Sequence, residues 1–169
     1  MTTQARAVSV GTASADETRQ LAAELAGVAA AGDRIALIGP LGAGKTQFAK
    51  GFARGLGIAD VVNSPSFTLM AEYAGRLSLF HQDLYRLGGA AEALAGGLLD
   101  ERQEAGITLT EWADRLEPGL DPDRLAVRFV VGPDEERRIE ISTADPERHA
   151  RYLLKAAAWA ARGGAGGGS

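Results

Sequence analysis

The stretch Arg34-Ile35-Ala36-Leu37-Ile38-Gly39-Pro40-Leu41-Gly42-Ala43-Gly44-Lys45-Thr46 decides the fold. A short, nearly continuous apolar run, as expected of a buried parallel strand, leads straight into a loop matching GxxxxGK[ST] at every fixed position. The glycines let main-chain N–H groups turn toward an anion without a Cβ in the way. Lys45 is placed to reach β- and γ-phosphates, and the Thr46 hydroxyl to ligate Mg²⁺. A helix is expected from Lys45 to Leu56, with Phe48, Phe52 and Leu56 on one face and Gly57 stopping it. Its positive end would point at the bound phosphate.

Outward from this unit, the spacing of apolar and turn residues lays out the rest. Ala7 to Val10 is a short first strand, and Ser14 with Glu17 forms a capping-box pair. The helix they open carries Leu21, Ala22, Leu25 and Val28 on one face, with Gly27 and Gly32 marking its exit. Phe67 to Tyr73 and Leu77 to His81 flank a hairpin turn at Ala74-Gly75-Arg76. An Ala- and Leu-rich helical stretch follows from Ala90 to Glu104, interrupted at Gly96-Gly97, and then a strand from Ile107 to Trp112. Strands Leu125–Val131 and Arg137–Thr143 surround the Gly132-Pro133-Asp134 turn, and Asp145 is expected to cap a last helix with Pro146 at its first position. The expected organisation is one domain over residues 1–162 and a flexible Gly-rich tail over residues 163–169.

Composition narrows the classes. The chain has 169 residues, 46% hydrophobic and 24% charged, with net charge −4 and no cysteine. Disulfides and thiolate metal sites are excluded, and two histidines make a zinc site an unpromising reading. No apolar run approaches the roughly 20 residues needed to span a bilayer. Met1 to Ser9 lacks the apolar core of a secretory signal, so the expected compartment is the cytoplasm. The acidic balance disfavours an autonomous nucleic-acid binder.

A phosphate loop also needs an acid for its metal, usually at the end of another buried strand. Asp83 follows the run Leu77 to Gln82, and Glu111 follows Ile107 to Thr110. Both are candidates, and spacing does not choose between them.

Three further segments carry a resemblance: Ser64-Pro65-Ser66-Phe67-Thr68-Leu69, His81-Gln82-Asp83-Leu84-Tyr85-Arg86-Leu87, and Thr110-Glu111-Trp112. In this order, with the phosphate loop, the chain resembles the TsaE (YjeE) family from about Ser14 to Val131. The resemblance implies a P-loop NTPase-like three-layer α/β fold with a mostly parallel central sheet and antiparallel strands toward the C-terminus. It implies an ATPase that binds ATP and Mg²⁺, hydrolyses ATP slowly and supports the complex making threonylcarbamoyladenosine in tRNA. TsaB and TsaD would be its partners, with tRNA met only indirectly. Carried over by motif, Gly39, Leu41, Gly42, Ala43, Gly44, Lys45, Thr46 and Gln47 would hold the nucleotide, with Ser66 in a segment responding to the γ-phosphate. Trp112 would lie at the nucleotide or at a partner surface. Lys45, Asp83 and Glu111 would be catalytic, and Thr46, Glu111 and Asp83 would surround the metal. Ser66 stands where the family often has Thr, and Thr110 where an apolar residue is common.

Plainer roles stand beside these. His81 fits a packing role at a strand end, Tyr85 and Arg86 fit structural ones, and Trp112 fits a core or interface role better than a stacking one. His149 and Trp159 belong to the last helix and are expected to be structural. Two other functions are compatible with the loop: a small-molecule kinase, and a nucleotide-gated binding module without useful turnover.

Overall fold

The computed structural model describes residues 6–63, 65, 70–84, 101–113, 123–134 and 136–162. The elements run β1 (Arg6–Thr12), α1 (Ala15–Ala26), β2 (Arg34–Ile38), α2 (Lys45–Gly55), β3 (Met70–Tyr73), β4 (Leu79–Asp83), a 3₁₀ turn (Glu101–Ala105), β5 (Ile107–Glu111), β6 (Leu125–Val131), β7 (Arg137–Thr143) and α3 (Ala150–Ala161). One seven-stranded sheet has the order β1-β7-β6-β2-β5-β4-β3. Its centre, β6-β2-β5-β4, is parallel as expected. Both margins are antiparallel: β6 with β7 and β7 with β1 on one side, and β3 with β4 on the other. The sheet is therefore mixed, and the α/β class holds.

Alternation along the strands sorts the core. Ile35 and Leu37 of β2, Leu109 of β5, Val127 and Phe129 of β6, and Ile139 and Ile141 of β7 join one buried cluster with Leu21, Leu25, Phe48, Phe52 and Trp159 of the three helices. On the opposite face, Ala36 and Ile38 pack with Ala113. Helix α1 starts where the sequence placed it. Ser14 Oγ accepts from Glu17 N at 3.1 Å, and Glu17 Oε1 from Ala13 N at 3.0 Å. Such a cap stabilises a helix by about 1 kcal/mol. Helices α1 and α2 cross closely because Gly51 and Gly55 carry no side chain. A Cβ at Gly51 would stand 2.1 Å from Arg19 O, and one at Gly55 2.5 Å from Ala23 O.

Helix α3 departs from its expected start. Asp145 Oδ1 accepts from Arg148 N at 3.2 Å, but the residues it heads form a turn, and the helix begins at Ala150 behind His149. Thr143 explains the delay: its hydroxyl accepts from Asp145 N at 2.9 Å and meets His149 Nδ1 at 2.6 Å, holding the turn against the end of β7. Both His149 and Trp159 are buried, and Trp159 Nε1 donates to Gly11 O at 3.2 Å. Next along α3, Tyr152 gives its hydroxyl hydrogen bond to the buried Asp33. Burial and then that bond push the Tyr152 pKa well above its ordinary value, keeping the phenol protonated.

Two further boundaries shift. The expected hairpin is present, but β4 begins at Leu79 rather than Leu77. Arg76 in the turn is drawn to α1, where its Nη2 donates to Ala26 O at 2.8 Å and Ala29 O at 3.2 Å. Of the expected Ala90–Glu104 helix, Glu101 onward is a 3₁₀ turn and residues 90–100 lie outside the described residues. Residues 67–69 of the first hairpin strand and the tail 163–169 lie outside them as well.

Candidate functional site: a phosphate loop joined to a strand-end acid

Because β2, β4 and β5 run parallel and in register, their C-terminal ends deliver three chain segments to one edge of the sheet. The loop after β2 is shaped by its glycines. Gly42 and Gly44 have φ of +78° and +109°, a region costly for residues with a Cβ. At Gly39 the reason is space, since a Cβ there would sit 3.0 Å from Phe129 Cβ and 3.1 Å from Phe129 O. Ala43 N donates across the loop to Pro40 O at 3.1 Å, and Phe48 N to Gly44 O at 2.9 Å starts the helix. The Leu41 side chain projects into solvent at the tip, 82% exposed.

Lys45 is almost fully buried, an uncommon state for an ammonium. Its Nζ donates to Gly39 O and, at 3.0 Å, to Pro40 O, and it lies 3.8 Å from the centre of the Trp112 ring. The carbonyls and the ring face offset part of the desolvation of this charge. Trp112 pays locally for that position. Its φ of +57° ends β5 at Glu111, one residue earlier than expected. Such a conformation costs on the order of 1–3 kcal/mol and is characteristic of functional sites.

Thr46, next on α2, donates from Oγ1 to Glu111 Oε1 at 3.1 Å. The second carboxylate oxygen, Oε2, meets His81 Nε2 at 2.6 Å. A carboxylate only accepts, so the imidazole proton sits on Nε2. His81 is fully buried, and its Nδ1 has no hydrogen-bond partner among the described residues. Glu111 is thereby held from both sides, by the phosphate loop through Thr46 and by β4 through His81. Asp83 pairs with Glu111 in the β4–β5 register and is buried on the same face. The structure thus brings Lys45, Thr46, Asp83 and Glu111 to one edge. Thr110, unusual for its hydroxyl, faces the other side of the sheet and donates to Gln82 Oε1 at 3.0 Å. Ser66, with Ser64 and residues 67–69, lies outside the described residues, as do Tyr85 and Arg86.

Beside the loop a cleft of about 210 Å³ is lined by Ser14, Ala15, Thr18, Gly42, Gly44, Gln47 and Arg137. Gln47 faces it, with its Oε1 accepting from Arg19 Nη1. One residue here was read differently and one was missed by sequence reasoning. His81 was read as a strand-end packing residue, although two positions before Asp83 in a strand puts it on the same face. Arg137 had none. It comes from β7 and reaches the loop only through the order of the strands.

Comparison with known proteins gives a consistent result. Residues 12–139 match the family model described as threonylcarbamoyl adenosine biosynthesis protein TsaE. The tRNA threonylcarbamoyladenosine biosynthesis protein TsaE of Bacillus subtilis (strain 168) is 44% identical over 129 residues, covering 76% of this chain and 80% of the relative. That of Streptomyces coelicolor is 33% identical over 147 residues, covering 84% and 93% respectively. Among solved structures, the crystal structure of Bacillus subtilis YdiB matches with a TM-score of 0.77 at 34% identity, covering 93% of this chain and 98% of that one.

Proposed function

The chain belongs to the TsaE family, and we propose that it is a Mg²⁺-dependent, slowly turning-over ATPase serving threonylcarbamoyladenosine formation in tRNA. The observation that carries the reading is the contact between Thr46 and Glu111, which ties the phosphate loop to a strand-end acid. The two oxygens stand 3.1 Å apart. Adjacent ligands of an octahedral Mg²⁺ with arms of about 2.1 Å are about 3.0 Å apart. The pair therefore fits two neighbouring positions around that ion.

Each residue then has a defined task. The loop from Gly39 to Gly44 supplies main-chain N–H groups to the phosphates, and the α2 N-terminus adds its dipole. Lys45 places its charge against the β- and γ-phosphates. Thr46 and Glu111 would hold the metal, whose charge would offset that of the phosphoryl group. Asp83, in register beside Glu111, would add a second acid near the metal. His81 keeps Glu111 turned toward Thr46, and the cleft lined by Ser14, Thr18 and Gln47 extends from the loop as room for the rest of the nucleotide. Trp112 covers Lys45 with its ring and helps hold that charge in the loop. The nucleotide cycle supports a cytoplasmic complex with TsaB and TsaD, and the threonylcarbamoyl transfer itself belongs to the partners.

The test is phosphate release from ATP and Mg²⁺ with no acceptor present, followed by a pull-down with TsaB and TsaD with and without ATP. Slow release and nucleotide-dependent capture are expected. ADP formed only when an acceptor is added would make the protein a kinase, and tight binding without turnover would make it a binding module.

A further inference from the structure

Arg137 opens β7 and meets the phosphate loop from the outside. Its Nε donates to Ala43 O at 3.1 Å, its Nη2 to Gly42 O at 3.3 Å and its Nη1 to Glu136 O at 3.0 Å. Each guanidinium nitrogen ends on a main-chain carbonyl, and two of these are consecutive in the loop. We propose that Arg137 is the positioning residue of the phosphate loop, holding two carbonyls outward so that the attached N–H groups turn to the inner side, where Ala43 N–H closes the loop on Pro40 O and Gly44 N–H is left for a phosphate. The inference rests on the nucleotide-binding reading above.

Peptide planarity supplies the mechanism. In a trans peptide the C=O and the N–H point in opposite directions. The carbonyl of Gly42 shares its peptide with Ala43 N–H, and that of Ala43 with Gly44 N–H. With both carbonyls drawn toward Arg137, both N–H groups are turned to the inner side. Ala43 N–H uses that orientation to bond Pro40 O across the loop, and by the same peptide geometry Gly44 N–H would turn to the side where a phosphate would sit. The loop needs such an anchor. Gly42 and Gly44 both lack a Cβ, so rotation of the peptides between them meets little steric resistance.

The anchor itself is firm. Arg137 pairs in register with Val131 of β6 and Thr12 of β1. The turn before it is closed by Gly132 N to Glu136 O at 2.9 Å and Glu136 N to Pro133 O at 3.1 Å. The same hairpin supports the loop's first residue, since Phe129 of β6 lies against Gly39. An arginine suits the task because one edge of its planar fork spans two neighbouring carbonyls. A lysine offers the charge as a single point.

The experiment combines calorimetric ADP titration, thermal melts and amide exchange on the wild type, Arg137→Met, Arg137→Lys and Arg137→Ala. The alanine variant is also titrated with guanidinium or ammonium chloride at matched ionic strength. Methionine and lysine should each weaken ADP binding by about tenfold, the effect of losing a charge-assisted contact pair. Melting temperatures should stay near the wild type, and exchange at Gly44 and Lys45 should quicken in the free proteins. Guanidinium, but not ammonium, should restore ADP binding to Arg137→Ala. Wild-type affinity in Arg137→Lys would show that charge alone matters and would overturn the positioning role. So would unchanged affinity in Arg137→Met, or a loss of affinity matched by a loss of stability in every variant. If the wild type binds no ADP, the nucleotide reading fails and takes this inference with it. Tight wild-type binding equalled by Arg137→Met removes only the role of Arg137.

Discussion

Replacing Gly51 with alanine should destabilise the protein although alanine is the better helix former. Gly51 lies within α2, where the change gains about 1 kcal/mol of helix propensity. Against this, the new Cβ would stand 2.1 Å from Arg19 O and 2.5 Å from Arg19 Cα, whereas ordinary contact begins at 3.4 Å. Helix α1 would have to retreat by about 1.3 Å. The obstacle is main chain, so no side-chain rotation relieves it, and the cost belongs at the upper end of overpacking, about 3 kcal/mol. The net loss is about 2 kcal/mol, or a melting temperature lower by about 4–8 °C for a chain of this size. Thermal and urea denaturation measure it. Because α2 begins at Lys45, ADP affinity should fall as well. A melting temperature equal to or above the wild type would show that the helices separate freely, and the close-crossing argument would be wrong.

Lys45→Ala removes a charged donor worth about 1.5–3 kcal/mol, so ATP affinity measured by calorimetry should drop roughly ten- to hundredfold; an unchanged value would remove Lys45 from the site. Glu111→Gln should keep measurable ATP binding but lose on the order of a hundredfold or more in single-turnover hydrolysis. Asp83→Asn should shift the magnesium midpoint less than Glu111→Gln does, and the reverse order would exchange their roles. Burial lowers the His149 pKa below its ordinary 6.5, only partly opposed by the nearby Asp33 carboxylate. The unfolded chain therefore takes up this proton at higher pH than the folded one, and the stability His149 contributes is full above about pH 6.5 and lost as pH falls below it. Melting temperatures measured downward from about pH 7 should fall more steeply in the wild type than in His149→Gln; equal slopes would clear His149 of the effect.

What could be read from the sequence was what the chain encodes locally. The phosphate loop is contiguous, its glycines have backbone reasons, and the strand before it and the helix after it announce themselves by period. Asp83 and Glu111 were legible because each closes an apolar run. Which of them reaches the loop was not, because that depends on which strand lies beside β2; β5 does, and Glu111 at its end meets Thr46. The α3 start was misplaced because Asp145 and Pro146 satisfy the local rule for a helix cap. A tertiary contact, Thr143 to His149, instead fixes a turn there. The Trp112 backbone was misread for a related reason: its strand-like neighbours are overruled at the point where its ring covers Lys45.

Strand order also explains why the site assembles where it does. Strand β2 sits between β5 and β6, so the loop leaving β2 has a parallel strand end on either side. On the β5 side the neighbour ends in acid, and Glu111 reaches Thr46. On the β6 side the neighbour continues into a hairpin whose second strand begins with a base, and Arg137 reaches Gly42 and Ala43. The loop is thus gripped by a carboxylate at its helix end and by a guanidinium on its outer carbonyls, from strands 65 and 94 residues away in sequence. Neither Glu111 nor Arg137 belongs to the motif that announces the loop. A variant of either strand end should therefore alter nucleotide handling while leaving the residues from Gly39 to Thr46 intact, and a motif scan would score such a variant as fully competent.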